Sequence, residues 1–151
     1  MKKIIFIGVT LMIMAFLFYQ VKTGLRPGES IVSPNVIING HVIKIEIADD
    51  FDKQTSGLSG RPVLGINEGM LFIFNNKQVR RFWMKNMNFP LDIVWLDTDK
   101  VVNIGQNLPP EGESPAHTYS SVAPVNNVLE INAGLAAKYD LKIGDKIIIN
   151  Y

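Results

Sequence analysis

The sequence predicts a mainly β (β-rich α+β) domain, compact and barrel-like or built of two sheets, with two short helices and one N-terminal transmembrane helix ahead of it. Three observations lead there. Apolar and polar residues alternate in short runs through most of the chain, as half-buried strands require. Turn signals rich in Gly, Asn, Asp and Pro separate those runs at close spacing. Before the first run lies an uncharged apolar stretch too long for a core strand.

That stretch is Ile4–Val21, eighteen residues without a charge. As a helix it extends about 27 Å, close to the ~30 Å hydrocarbon core of a bilayer. Lys2 and Lys3 precede it, which predicts an N-terminus inside. It ends in Phe18-Tyr19-Gln20-Val21-Lys22, with no small residue at the spacing a signal peptidase needs. Residues 1–22 are therefore expected to stay as a membrane anchor, with the folded domain extracytoplasmic. Cleavage would instead release the same domain as a secreted protein. Residues 23–35 (TGLRPGESIVSPN) lack periodicity and read as a linker, leaving residues 36–151 as the domain.

Within the domain, Ile43, Ile45 and Ile47 share one face of a strand and Lys44 and Glu46 the other. Asp49 or Asp50 can cap a short helix that runs through Ser56 and stops at Gly57. Met70–Phe74 is a buried strand, Asn75–Val79 a turn, and Arg80–Lys85 the next strand. Leu91–Leu96 and Val101–Gln106 flank Asp97-Thr98-Asp99-Lys100 as a hairpin. Asn107–Thr118 holds Pro109, Pro110, Gly112 and Pro115 and reads as a loop. Val128–Ile131 is another strand. Gly134–Tyr139 has helical composition with Asn132 as its cap, and Lys146–Asn150 is the last strand after a turn at Lys142–Asp145.

Composition narrows the chemistry. The chain of 151 residues has no cysteine, which excludes a disulfide scaffold and thiolate-based zinc or redox sites. Beyond residue 22 there are twelve cations against fourteen acids, a net of −2, and nothing in that balance asks for nucleic acid. His41 and His117 are the only histidines, too few for a zinc site without other strong ligands, so no metal and no cofactor are expected. No phosphate-binding glycine loop is present, and Ser59 and Ser120-Ser121 lack the frame or base of a nucleophile.

Several segments occur in an order that is similar to one family. They are Gly57-Leu58-Ser59-Gly60-Arg61, Gly69-Met70-Leu71-Phe72, Phe82-Trp83-Met84-Lys85-Asn86, Pro90-Leu91-Asp92-Ile93, Tyr119-Ser120-Ser121, Leu129-Glu130 and Gly144-Asp145. As a set they resemble the domain-of-unknown-function 192 (DUF192) family over about residues 42–149. Two positions depart from its pattern: Ser59 stands where the family usually has Met, and Met87 where it usually has Thr. The resemblance implies a compact β-rich domain, often exported in bacteria, and no established activity.

Candidate site residues come from polar groups in unusual company. Asp92 and Glu130 each interrupt an apolar strand, where a carboxylate is costly unless paired or hydrogen-bonded. One reading makes them an acid pair for hydrolysis of envelope carbohydrate or peptide. The plainer reading ties them structurally to Arg61 or to loop amides. Trp83, between Arg81 and Lys85, can stack a sugar or an anionic ligand, or fold back onto the core. His117 and Tyr119 sit at the end of the polar loop, whose composition fits recognition better than turnover. The reading favoured here is a membrane-tethered extracytoplasmic binding or accessory domain, with Arg61, Trp83, Lys85, Asp92, His117 and Tyr119 as contact candidates. Its partners are the membrane through residues 4–21 and an envelope carbohydrate, peptide or protein. A purely structural envelope protein is the third reading.

Overall fold

The computed structural model describes residues 33–151, together with Met14 and Phe16. The anchor expected at Ile4–Val21 lies outside this range but for those two residues. Among the described residues no helix is long and apolar enough to cross a membrane. The compact unit Ser33–Tyr151 contains β1 (Asn35–Ile38), β2 (His41–Ala48), α1 (Phe51–Ser56), β3 (Glu68–Gln78), β4 (Arg81–Phe82), β5 (Leu91–Asp97), β6 (Lys100–Leu108), β7 (Tyr119–Ser120), β8 (Val125–Asn132), α2 (Leu135–Lys138) and β9 (Ile148–Asn150).

Seven of these strands form one sheet in the order β6-β5-β8-β3-β2-β1-β9, and β4 and β7 pair separately. All pairings in the large sheet are antiparallel except β2 with β3, whose crossover carries α1 and the segment to Asn67. The sheet curls into a half-barrel. At one end its two edges meet: Val101 N donates to Asp145 O, Gly144 N to Val101 O and Ile147 N to Asp99 O, at 2.8–3.0 Å.

Side-chain alternation divides the core in two. Ile43, Ile45, Leu71, Val94, Leu96, Leu129 and Ile131 point to one face and form one cluster with Val36, Ile38, Val101, Ile147 and the buried side of α2. Met70, Phe72, Ile93, Trp95 and Val128 point to the other face, where Leu58, Leu64, Met84 and Met87 cover them. β5 is therefore buried along nearly its whole length, with only Asp97 partly exposed.

The expected strand at His41–Ile47, the helix capped by Asp50 and ended by Gly57, and the hairpin at Asp97–Lys100 are all present. Other expectations are corrected. Asn75–Gln78 is not a turn but the polar continuation of β3, which runs past an irregularity after Ile73 to pair Gln78 with Val125. The strand expected over Arg80–Lys85 shrinks to Arg81–Phe82, because its partner β7 has only two residues to offer. β1 and β7 carried no distinct signal. Asn132 does not cap α2; its amide donates to the carbonyls of Leu64 and Gly65.

The cap of α2 comes from Asp92. Gly134 occupies the N-cap position with φ +84° and has no side chain to offer, so the Ala136 N–H donates to Asp92 Oδ2 at 2.9 Å. Asp92 Oδ1 accepts from Asn107 N at 2.8 Å. One fully buried carboxylate thus joins the end of β6 to the helix that closes the half-barrel. Arg61, proposed above as its partner, instead pairs with Glu46.

Asp92→Asn replaces one acceptor oxygen by a donor and leaves a buried N–H facing it. The substitution is expected to cost about 2–3 kcal/mol in thermal or denaturant unfolding. Arg61→Met breaks only a partly exposed pair and should cost about 0–1 kcal/mol. Because the two residues share no partner, their effects should add within about 0.5 kcal/mol. A double mutant clearly milder than the sum would contradict this placement.

Candidate functional site

Strand pairing decides which polar residues can meet. Asp92 is opposite Ile131, whereas Glu130 is opposite Ile93 on β5 and Met70 on β3. Cross-strand partners share a face, so Asp92 and Glu130 lie on opposite faces of the sheet. They do not face each other across a cleft, and an acid pair built from both is not formed.

Glu130 lies at the floor of a cleft of about 510 Å³. One wall is the end of α1 and the turn after it, Gln54–Ser59; the other is Val79–Trp83; Phe72, Phe74 and Met87 complete it. Gly57 keeps the floor open: its φ is +50°, and a Cβ there would stand 3.3 Å from Phe72 and 4.0 Å from Glu130 Oε2. Glu130 is 5 % exposed and its carboxyl has no hydrogen-bond partner among the described residues. Burial pushes it up to about 8, opposed only in part by the attraction of Arg61. At neutral pH the group is therefore mainly a neutral carboxylic acid, able to donate as well as accept.

The charged groups around it are arranged in layers. Arg61 grips Glu46 with both terminal guanidinium nitrogens, Nη1 donating to Oε1 and Nη2 to Oε2, the latter at 2.8 Å. That contact first, and the attraction between the two charges, hold the Glu46 carboxyl below its ordinary value. Arg80 lies with its guanidinium 3.8 Å from the centre of the Phe74 ring and donates to Asn76 O and Oδ1. Its Nε is buried without a partner. Arg81 is exposed and makes no hydrogen bond or ion pair among the described residues.

Trp83 is 55 % exposed at the rim and not folded onto the core. Lys85 lies outside the cleft; its backbone is bridged to Glu111, and its carbonyl accepts from Ser59 Oγ at 2.8 Å. His117 pairs through Nδ1 with Glu111 Oε1, and its ring stacks on Tyr119 at 6.3 Å between centroids. His117 belongs to the loop before β7 and Tyr119 to β7 itself, and neither lines the cleft. No group of three His, Asp or Glu side chains is placed to hold a metal ion among the described residues. The two departures from the family pattern are accommodated, Ser59 through that hydrogen bond and Met87 by burial in the outer core.

Sequence reading missed Glu46 as the partner of Arg61, and the aromatic wall of Phe72, Phe74 and Phe82. Phe72 and Phe74 stand two apart on a strand and so share a face, which was a usable signal. The cluster Arg80-Arg81 was visible as charge, but not its position on a cleft.

The DUF192 family profile, described as "Uncharacterized ACR", matches residues 35–149. A solved protein of unknown function from Novosphingobium aromaticivorans DSM 12444 is 38% identical, covering 82% of this chain and 93% of that one, with a TM-score of 0.67. A candidate transcription regulator from Sinorhizobium meliloti 1021 is 29% identical, covering 77% and 91%, with a TM-score of 0.69. No curated protein matches the chain.

The position of Glu130 makes stability depend on pH. An unfolded chain releases this proton near 4.5, while the folded one keeps it to about 8. Between those values the folded state holds one more proton, so stability should fall as pH rises, by up to about 1.4 kcal/mol per pH unit from this group. Glu130→Gln should flatten that slope and be the more stable protein at pH 8–9. Denaturant titrations from pH 4 to 9 check it; parallel curves would contradict a buried neutral acid.

Proposed function

The chain belongs to the DUF192 family, and from that premise we infer a membrane-tethered extracytoplasmic domain that binds a small ligand in the cleft above Glu130. The observation that carries the binding reading is Glu130 itself. A buried carboxyl without a hydrogen-bond partner among the described residues, facing a cleft, is a group that a ligand can satisfy. Four of the segments that carry the family resemblance supply the lining, through Gly57–Ser59, Phe72, Phe82–Trp83 and Glu130. The tether is supported by the uncharged run Ile4–Val21 behind Lys2 and Lys3.

Binding is favoured over hydrolysis because, among the described residues, Glu130 is the one carboxyl that lines the cleft. Asp92 is committed to two backbone amides on the other face, and Glu46 to Arg61. The regulatory description of the Sinorhizobium protein is not carried over, since residues 23–151 have a net charge of −2 and no basic helix offers itself to a groove among the described residues.

The test uses the full chain purified from membranes and a thermal-shift screen of envelope sugars, peptides and small organic acids. Ligands of the folded state raise the melting temperature by mass action, by about 2.7 kcal/mol of stability at a hundredfold excess over Kd. Hits should vanish in Trp83→Ala, whose side chain is exposed at the cleft rim. Hits indifferent to Trp83 would place binding elsewhere, and a mature form lacking residues 1–22 and free of membranes would overturn the tether.

A further inference from the structure

Most polar side chains that line the cleft are already engaged. Thr55 and Ser56 donate their hydroxyls to the carbonyls of Phe51 and Asp52, and Ser59 donates to Lys85 O. The Gln54 amide donates to the carbonyls of Ala48 and Ile73. A neutral sugar, which needs many exchangeable hydrogen bonds, would find few of these groups free. What remains unengaged is of one kind. Among the described residues Arg80 Nε is buried without a partner and the Arg81 guanidinium is free, and the Trp83 indole is exposed. All three are donors.

The apolar part of the lining is equally specific. Phe72, Phe74, Phe82 and Trp83 surround the space, with Phe72 and Phe82 edge to face at 4.9 Å. Aromatic walls favour a flat body, and a volume of about 510 Å³ suits a small molecule and not a polymer chain. No ionised acid lines the cleft to welcome a cation, because Glu46 is neutralised by Arg61 and Glu130 is protonated below about 8.

We propose that the cleft selects a small planar organic carboxylate, its anion held by Arg80 and Arg81, its body lying among the four aromatic rings, and its far end meeting the Glu130 carboxyl. This rests on the binding reading above and adds the class of ligand. The anion is accepted in two ways: the guanidinium groups donate to it, and the floor does not repel it while Glu130 keeps its proton. Arg61, from the segment after α1, is the charged group whose attraction reaches Glu130; Arg80, between β3 and β4, and Arg81, on β4, line the same cleft, and Lys44, Glu46 and Glu68 lie on the same face of the sheet.

The experiment compares naphthalene-2-carboxylate with 2-naphthamide, 2-naphthylmethylamine and methyl glucoside. The full chain is held in phosphatidylcholine nanodiscs, and binding is read by calorimetry and by the fluorescence of the exposed Trp83. The carboxylate should bind at least tenfold tighter than the amide, and the amine and glucoside should not bind. Arg81→Gln should weaken the carboxylate at least tenfold and leave the amide unchanged. Trp83→Ala should weaken both, and a single melting temperature for all three proteins shows that the fold is kept. Raising the pH from 6 to 9 should weaken the carboxylate in the native protein and not in Glu130→Gln. Amine, amide or glucoside binding as tightly as the carboxylate, in a Trp83-dependent way, would overturn the ligand class and leave the binding reading standing. No Trp83-dependent binding by any probe would overturn both.

Discussion

The structure depends on the central position of β5 and β8, which are flanked by strands on both edges and covered by side chains on both faces. A strand in that position can expose neither its backbone nor either row of its side chains. The half-barrel core with α2 fills one face, and the chain from Leu58 to Met87 folds back to fill the other. Close approach of the backbones follows from the same crowding. At Gly69 on β3 a Cβ would come within 2.6 Å of the Glu130 carbonyl, so β3 and β8 pair closely only because glycine stands there. Strain is tolerated at the rim on similar terms. Thr98 turns the β5–β6 hairpin at φ +60°, held by Asn126, which accepts from its N–H, and by Asn127, which donates to its carbonyl.

Two carboxyl groups placed in these doubly buried strands meet opposite fates, and the difference is what separates scaffold from site. Asp92 is surrounded by backbone donors and works as an internal cap, joining β6 to α2. A carboxylate so served is a structural group. Glu130, on the other face, meets no donor among the described residues, and its environment favours the neutral acid. Holding an ionised carboxylate there would need a partner that the fold spends elsewhere, since Arg61 is already bound to Glu46. An unsatisfied buried group is a weakness in a scaffold and an opportunity in a binding cleft.

Much of this fold was legible in the sequence, and the parts that were not have physical reasons. Period-two alternation placed β2, the turn signal at Asp97–Lys100 placed the β5–β6 hairpin, and the Asp50 and Gly57 signals bounded α1. β1 is four residues long and β7 two, too short for periodicity to register, and both exist because a neighbour pairs with them. The polar half of β3 read as a turn, since its residues are held by pairing across an irregularity and not by burial. Asp92 and Glu130 were legible as misplaced acids, but their separation onto opposite faces is a matter of register between strands far apart in the chain. Arg61 was legible as a charge in need of a partner; which acid it takes depends on β2 and β3 running parallel, and that pairing leaves no mark in either segment.

Double burial of β8 leaves Glu130 neutral, Gly57 opens it to the cleft, and aromatic and guanidinium groups frame the opening. The measurement that tests this most directly is a carbon-13 NMR titration of the side-chain carboxyls of the full chain, with Glu130→Gln used to assign the signal. The account predicts that Glu130 titrates far above the ordinary 4.5, near 8. A midpoint close to 4.5 would contradict it, because a carboxyl that ionises so readily already has the partner that the cleft is inferred to await.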